Sequence, residues 1–209
     1  MPKVTLPRPC ALFAAFAAIA VLCTAVLAQQ ALTVRIRGTI DAVDGSTLSI
    51  KTREGNDVKV RMTDNVAVFA VVKTELSQIK EGSYIGVTAM PEPDGTQKAI
   101  AVHIFPESQR GAAEGFRPWD LRANSTMTNA TVAESVKGTD GQNILVKYKD
   151  GEKKVVVPPD TPIVSFVASD TSEIKAGGKI IIFAANKKDD GTLEAARVNV
   201  GRDGITPPM

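Results

Sequence analysis

Residues 32 to 42 read LTVRIRGTIDA, and their side chains alternate between apolar and polar. The apolar positions are Leu32, Val34, Ile36, Ile40 and Ala42. A period of two is that of a β-strand with one buried face. The same alternation returns in residues 57–62 and 100–104. The sequence therefore predicts a chain made largely of half-buried strands.

Turn signals separate these strands. Asp-Gly or Glu-Gly pairs begin at positions 44, 54, 94, 140, 150 and 190, and such pairs are strong signals for β-hairpins. Most neighbouring strands should therefore be antiparallel. No long helical pattern lies between them, so parallel α/β folds are set aside.

The two halves of the chain repeat each other at an offset of 96 residues, which slips to 95 near the middle. Gly45 matches Gly141 and Val102 matches Val198 at the larger offset. Each copy contains two hairpin-linked strands, a third strand, a short helical or loop segment, and two more strands. This β-β-β-α-β-β order predicts an all-β protein of two tandem OB-type barrels, each five-stranded and partly open, with a short helix between strands three and four. A pair of small β-sandwiches or split barrels is the alternative.

The predicted boundaries follow from this pattern. We expect a signal peptide at 1–28, a first barrel at 32–105, a linker at 106–125, a second barrel at 126–201 and a C-terminal tail at 202–209.

Residues 1 to 28 have the parts of a cleavable secretory signal. Lys3 and Arg8 form a basic start, an apolar run covers residues 11–27, and Val26 and Ala28 suit the small pockets of a signal peptidase. The alternatives are an uncleaved membrane anchor, since the run is near the minimum spanning length, and a lipoprotein acylated at Cys23. The bulky Leu22 before that cysteine disfavours the lipoprotein. We expect a periplasmic protein with no stable membrane span after cleavage.

Cleavage would change the chemistry of the chain. It removes Cys10 and Cys23, the only cysteines, and it leaves 23 basic against 23 acidic residues. A neutral, exported chain is a poor match for nucleic acid. A single histidine, His103, disfavours a metal centre built on imidazoles, so we predict no metal site and no cofactor.

Two segments carry a resemblance to a known family. Residues 36–51, IRGTIDAVDGSTLSIK, and 77–87, SQIKEGSYIGV, resemble exported bacterial domains of unknown function with an OB-like barrel. Residues 105–120 and 127–132 look like members of this group from Gram-negative bacteria. Some relatives carry a label linking them to metal-transport permeases. This resemblance implies at most an accessory role beside a transporter, because the sequence after residue 28 lacks spanning helices.

The linker is the candidate binding site, because it is long for a connection and contains the only tryptophan of the chain. An aromatic ring beside guanidinium groups can stack on a sugar or hold carboxylates of a partner protein. The candidate residues are Glu107, Arg110, Arg117, Trp119 and Asp120. The structural alternative is that Trp119 plugs the junction between barrels, while the two arginines pair with Glu107, Glu114 or Asp120.

No nucleophile elbow, phosphate-binding glycine loop or zinc-protease helix is present in the sequence. His103 lies on the strand face opposite Ile100, Val102 and Ile104, and the repeat places Asn199 at its equivalent position. The leading hypothesis is a non-catalytic periplasmic binding module that recognises an envelope protein or glycan. The alternatives are an accessory protein for envelope metal handling, and a hydrolase that uses a carboxylate with His103.

Overall fold

A computed structural model of the protein describes residues 33 to 139 and 141 to 209. The predicted signal peptide, with both cysteines, lies outside the described residues. Within them the chain forms twelve strands and four three-residue 3-10 turns. The strands are β1 Thr33–Asp44, β2 Thr47–Thr52, β3 Asp57–Lys73, β4 Tyr84–Pro91, β5 Gln97–Ile104, β6 Gly115–Pro118, β7 Thr126–Gly138, β8 Gly141–Tyr148, β9 Gly151–Val157, β10 Ile163–Ser169, β11 Lys179–Lys187 and β12 Leu193–Gly201. The all-β prediction is confirmed.

The alternation in β1 has the predicted effect on burial at Ile36 and Ile40, but Val34 and Ala42, which were expected on the same buried face, are exposed. Ile36 and Ile40 are buried, while Arg35 and Arg37 project from the opposite face. Gly45 follows the strand with a φ of +54°, a conformation that glycine adopts without steric cost. The chain thereby turns directly into β2, which pairs antiparallel with β1.

The first ring of strands is a closed five-stranded barrel. Its order is β1-β2-β3-β12-β11, and β11 pairs back with β1. Only the β3–β12 contact is parallel. Its interior is filled mainly by aliphatic side chains such as Leu48, Val60 and Ile182.

A second ring of pairings runs β7-β8-β9-β5-β4, and β4 pairs back with β7. The parallel contact that closes it, between β9 and β5, is only two residue pairs long. Ile85, Val87 and Val146 are among the buried side chains inside this ring.

The two halves of the chain exchange hairpins. The first ring takes β1–β3 from the first half and the hairpin β11–β12 from the second, and the second ring takes β7–β9 with the hairpin β4–β5. This pairing differs from the expected tandem barrels, in which each repeat would close on its own strands. The long strand β3 extends past its pairing with β2, and its last residues pair with β12 of the first ring on one side and with β10 on the other. The chain thus enters β4 beside the second ring.

Two further details differ from the predictions. The expected short helix is a 3-10 turn of three residues in each half, at Leu76–Gln78 and Thr171–Glu173. The repeat offset falls to 95 already at the hairpin after the second strand: Leu48 pairs with Val60, while its repeat counterpart Ile144 pairs with Val155. Val155 is therefore the structural counterpart of Val60, whereas an offset of 96 would have matched Val60 with Val156.

A third apolar cluster lies between the outer faces of the two rings. It contains buried Val71, Met127, Phe166 and Ile181, and partly buried aromatic rings pack against it. The rings are therefore joined by a continuous core. Trp119 of the linker packs against it.

Candidate functional site

The predicted linker is an ordered part of the fold. Residues Glu107–Gln109 form a 3-10 turn, and β6 pairs antiparallel with the first residues of β7. Beyond β6, the Trp119 amide donates a hydrogen bond to the Ser125 carbonyl at 2.7 Å. The segment therefore holds its side chains in defined positions over the junction between the rings.

Trp119 packs between the core and the arginine side chains of two strands, β1 and β6. Its ring centroid is 6.5 Å from that of Phe183, at the edge of the cluster between the rings. The Arg35 guanidinium carbon lies 3.6 Å from the centre of the indole ring, which is a close cation–π stack. Arg37 and Arg117 lie 5.8 and 5.7 Å from the same ring.

Asp120 is held in a fork of two guanidinium groups. It accepts from Arg35 at 2.8 Å and from Arg37 at 2.7 Å, and the Nε of Arg37 donates to the main-chain oxygen of Met209 at 2.7 Å. Partial burial acts to raise the pKa of Asp120, but the hydrogen bonds from Arg37 and Arg35 outweigh it and lower the pKa to about 2. The carboxylate is therefore charged at any physiological pH.

Arg117 differs from its neighbours in having no acidic partner. Its Nη1 donates to the Ala113 carbonyl at 2.8 Å, and it forms no salt bridge with any carboxylate of the described residues. Desolvation and then the charge of Arg35 lower its pKa, which reports that this cation is partly buried beside another cation. We call Arg35, Arg37, Arg117, Trp119 and Asp120 the arginine–tryptophan patch; it carries three positive charges and one negative.

The other two candidate residues form a separate ion pair. Arg110 donates to both carboxylate oxygens of Glu107, at 2.5 and 2.7 Å, and to the Gly82 carbonyl at 2.9 Å. The structure thus brings together Arg117, Trp119 and Asp120, and it gives Glu107 and Arg110 a role in fixing the start of the linker. The Arg110–Glu107 pair is one of the ion pairs expected if the linker has a structural role.

Sequence reasoning did not include Arg35 and Arg37 among the site residues. The available signal was the pair of arginines two positions apart on the polar face of the first strand. Nothing local indicated that this face would meet a tryptophan more than 80 residues further along the chain. Only the packing of the linker on β1 creates the patch.

His103 lies on the outer face of β5, as expected, but that face is covered. The side chain is 2% exposed, and the rings of Phe105 and Phe166 lie 4.6 and 5.3 Å from the imidazole. Burial and then the charge of Arg117 lower the pKa of His103 to about 3. The imidazole is therefore enclosed by the fold and uncharged at neutral pH.

An open groove of about 1020 Å³ lies between β2, β3 and the β11–β12 turn. Glu194 lines it and accepts from Arg61 at 2.9 Å and Lys188 at 2.7 Å. Arg61 and Lys188 in the groove therefore share a carboxylate partner, whereas Arg117 of the patch has none among the described residues.

Among residues 33–139 and 141–209, no three His, Cys, Asp or Glu side chains are grouped closely enough to hold a metal ion. No helix in the same residues has the length and apolar character needed to cross a bilayer. Comparison with protein-family models, curated proteins and solved structures finds no match to this chain.

Proposed function

We propose that this protein is a non-catalytic periplasmic binding module that recognises anionic groups of an envelope component, protein or glycan, through the arginine–tryptophan patch. The observation that carries the proposal is the partly buried guanidinium of Arg117, which has no carboxylate partner among the described residues. Removing a charge from water without a partner costs free energy. An incoming anion would recover that cost.

The chemistry of the patch suits a carboxylate or another oxyanion. Guanidinium groups bind such groups through paired hydrogen bonds. Arg35 is already oriented by its stack on Trp119 and by Asp120, so little side-chain entropy is lost when a ligand binds beside it. Half of the Asp120 side chain remains exposed, at 51%, which leaves the patch open to solvent.

The fold and the compartment are consistent with this function. We propose that each ring is an OB-type barrel, because three consecutive antiparallel strands are completed by a hairpin from the other half of the chain, which closes the ring through one parallel contact. Barrels of this type commonly present binding surfaces. Residues 1–28 have the composition of a secretory signal, which supports a periplasmic location.

Binding assays with Arg117→Gln test the proposal. The probes are oligogalacturonate and a glutamate-rich peptide as anions, and maltohexaose as a neutral sugar, each measured by calorimetry. We expect binding of an anionic probe, no binding of maltohexaose, and roughly ten- to a hundredfold weaker binding for Arg117→Gln, since a charge-assisted hydrogen bond contributes roughly 1.5–3 kcal/mol. Added salt should weaken the interaction.

Arg61→Gln is the matched control, because it removes the same charge from an exposed arginine in the groove. It should bind as the wild type does. The proposal is wrong if neither anionic probe binds, or if the two variants lose affinity equally.

A further inference from the structure

The second ring has a strand edge that the linker covers. Thr126 to Asn129, at the start of β7, pair with β4 on one side and with β6 on the other. Without β6 these residues would present unpaired backbone groups at one edge, and such edges attract other strands. The chain therefore supplies its own cover for this edge.

The equivalent edge of the first ring lies on β1. Gly38 pairs with Ile180, and Ala130 pairs with Ile85; the two isoleucines are repeat counterparts. Residues 34–37 therefore occupy the position in the first ring that residues 126–129 occupy in the second.

No described strand covers this edge of β1. One side of residues 33–37 pairs with β11, with a register shift at Arg35, but pairing with β2 on the other side begins only at Gly38. Arg37 makes one further hydrogen bond on the β2 side, since its carbonyl accepts from the Arg53 amide at 2.8 Å. Val34 is 39% exposed. Within residues 33–139 and 141–209, the two rings thus differ in whether this edge is paired.

The cover on the second ring indicates what such a strand requires. Glu114, just before β6, accepts a hydrogen bond from the Lys149 amide at 3.1 Å, and Lys153 lies 4.4 Å from the centre of the Phe116 ring. The covering strand is therefore held by backbone pairing and by a carboxylate and an aromatic ring that meet a basic hairpin.

We propose that an extended, acidic segment of a partner protein adds to β1 as a further strand along residues 33–37. Backbone pairing would supply the affinity, as in other cases of strand addition. Arg35 and Arg37 project from this same stretch and belong to the arginine–tryptophan patch, whose excess of positive charge favours acidic side chains. The inference rests on the proposed function and specifies its partner as a polypeptide strand.

The test uses three capped eight-residue peptides with the purified protein. The first alternates glutamate with valine, the second is its twin with N-methylated backbone amides at alternate positions, and the third has lysine in place of glutamate. We expect the acidic peptide to bind at least tenfold more tightly than the other two. Its addition should slow amide hydrogen exchange at residues 33–37 at least tenfold, and leave exchange in β8 and β9 unchanged.

Equal binding of the N-methylated twin, or unchanged exchange at residues 33–37, overturns the strand-addition inference. If oligogalacturonate binds in an Arg117-dependent manner while the acidic peptide does not, the proposed function stands and this inference fails. If no anionic probe binds, both fail. Val34 and its neighbours need no substitution in this design, so misfolding of a variant cannot confuse the result.

Discussion

His103 shows how one residue is shaped by the surface that covers it. The His103 side chain points away from the interior of the second ring, but it is buried between the outer faces of the two rings. Gly86 permits this arrangement, because a Cβ there would lie only 2.1 Å from the imidazole. The buried Nδ1 has no hydrogen-bond partner among the described residues. Such a group is tolerated only while it stays uncharged.

The buried imidazole predicts a pH-dependent stability. The pKa of His103 is about 3 in the folded protein and about 6.5 in an unfolded chain. Between these values the unfolded state binds more protons, so the stability present above pH 6.5 is lost as the pH falls towards 3. From pH 6.5 to pH 5, the wild type should lose roughly 1.5 kcal/mol more than His103→Gln, measured by urea unfolding. Equal losses in both proteins would contradict the burial of this group.

At the scale of elements, the two exchanged hairpins, β4–β5 and β11–β12, have turns of the same geometry. Asp94 accepts from the Thr96 amide at 2.9 Å and from its hydroxyl at 2.7 Å, and Asp190 does the same with Thr192 at the same distances. The glycine between them has a φ of +86° in the first turn and +84° in the second. This turn is therefore a local unit that keeps its geometry in both rings.

The matching turns predict matching costs of substitution. A Cβ at Gly95 or Gly191 would meet no atom within 4 Å, so Gly→Ala should cost only the backbone strain of a positive φ, about 1 kcal/mol at each position. Asparagine tolerates this region better and should cost less. Chemical denaturation of Gly95→Ala and Gly191→Ala tests this. A cost several times larger at one position would mean that the turns differ in packing.

At the scale of the whole molecule, the hairpin exchange links the two halves. Each ring is completed by strands from both halves, since β3 pairs with β12 and β5 pairs with β9. The core between the rings adds a third set of contacts across the junction. Residues 33–209 should therefore unfold in one cooperative transition, whereas independent tandem barrels would allow two.

Separated halves test this architecture. Fragments 29–105 and 106–209, purified apart, should each lack a cooperative unfolding transition as monomers, because each would expose a row of unpaired strand edges and half of a core. Mixing them should restore the β-sheet circular dichroism and the single transition of the intact chain. A fragment that unfolds cooperatively as a monomer would show that one half can close its own ring.

The sequence by itself determined most of the strands, their turns and the internal repeat, because alternation and turn chemistry are local properties of the backbone; it did not predict β6 within the linker. Arg117, Trp119 and Asp120 could be selected for the same reason, as an unusual composition within one segment. The tertiary structure alone decided which hairpin closes which ring, since the local pattern of strands and turns is the same for either pairing. It also decided that the outer face of β5 is covered, and that Arg35 and Arg37 meet Trp119. These outcomes depend on pairing and packing between residues far apart in the sequence, such as those of β3 with β10 and β12. No local pattern encodes such contacts.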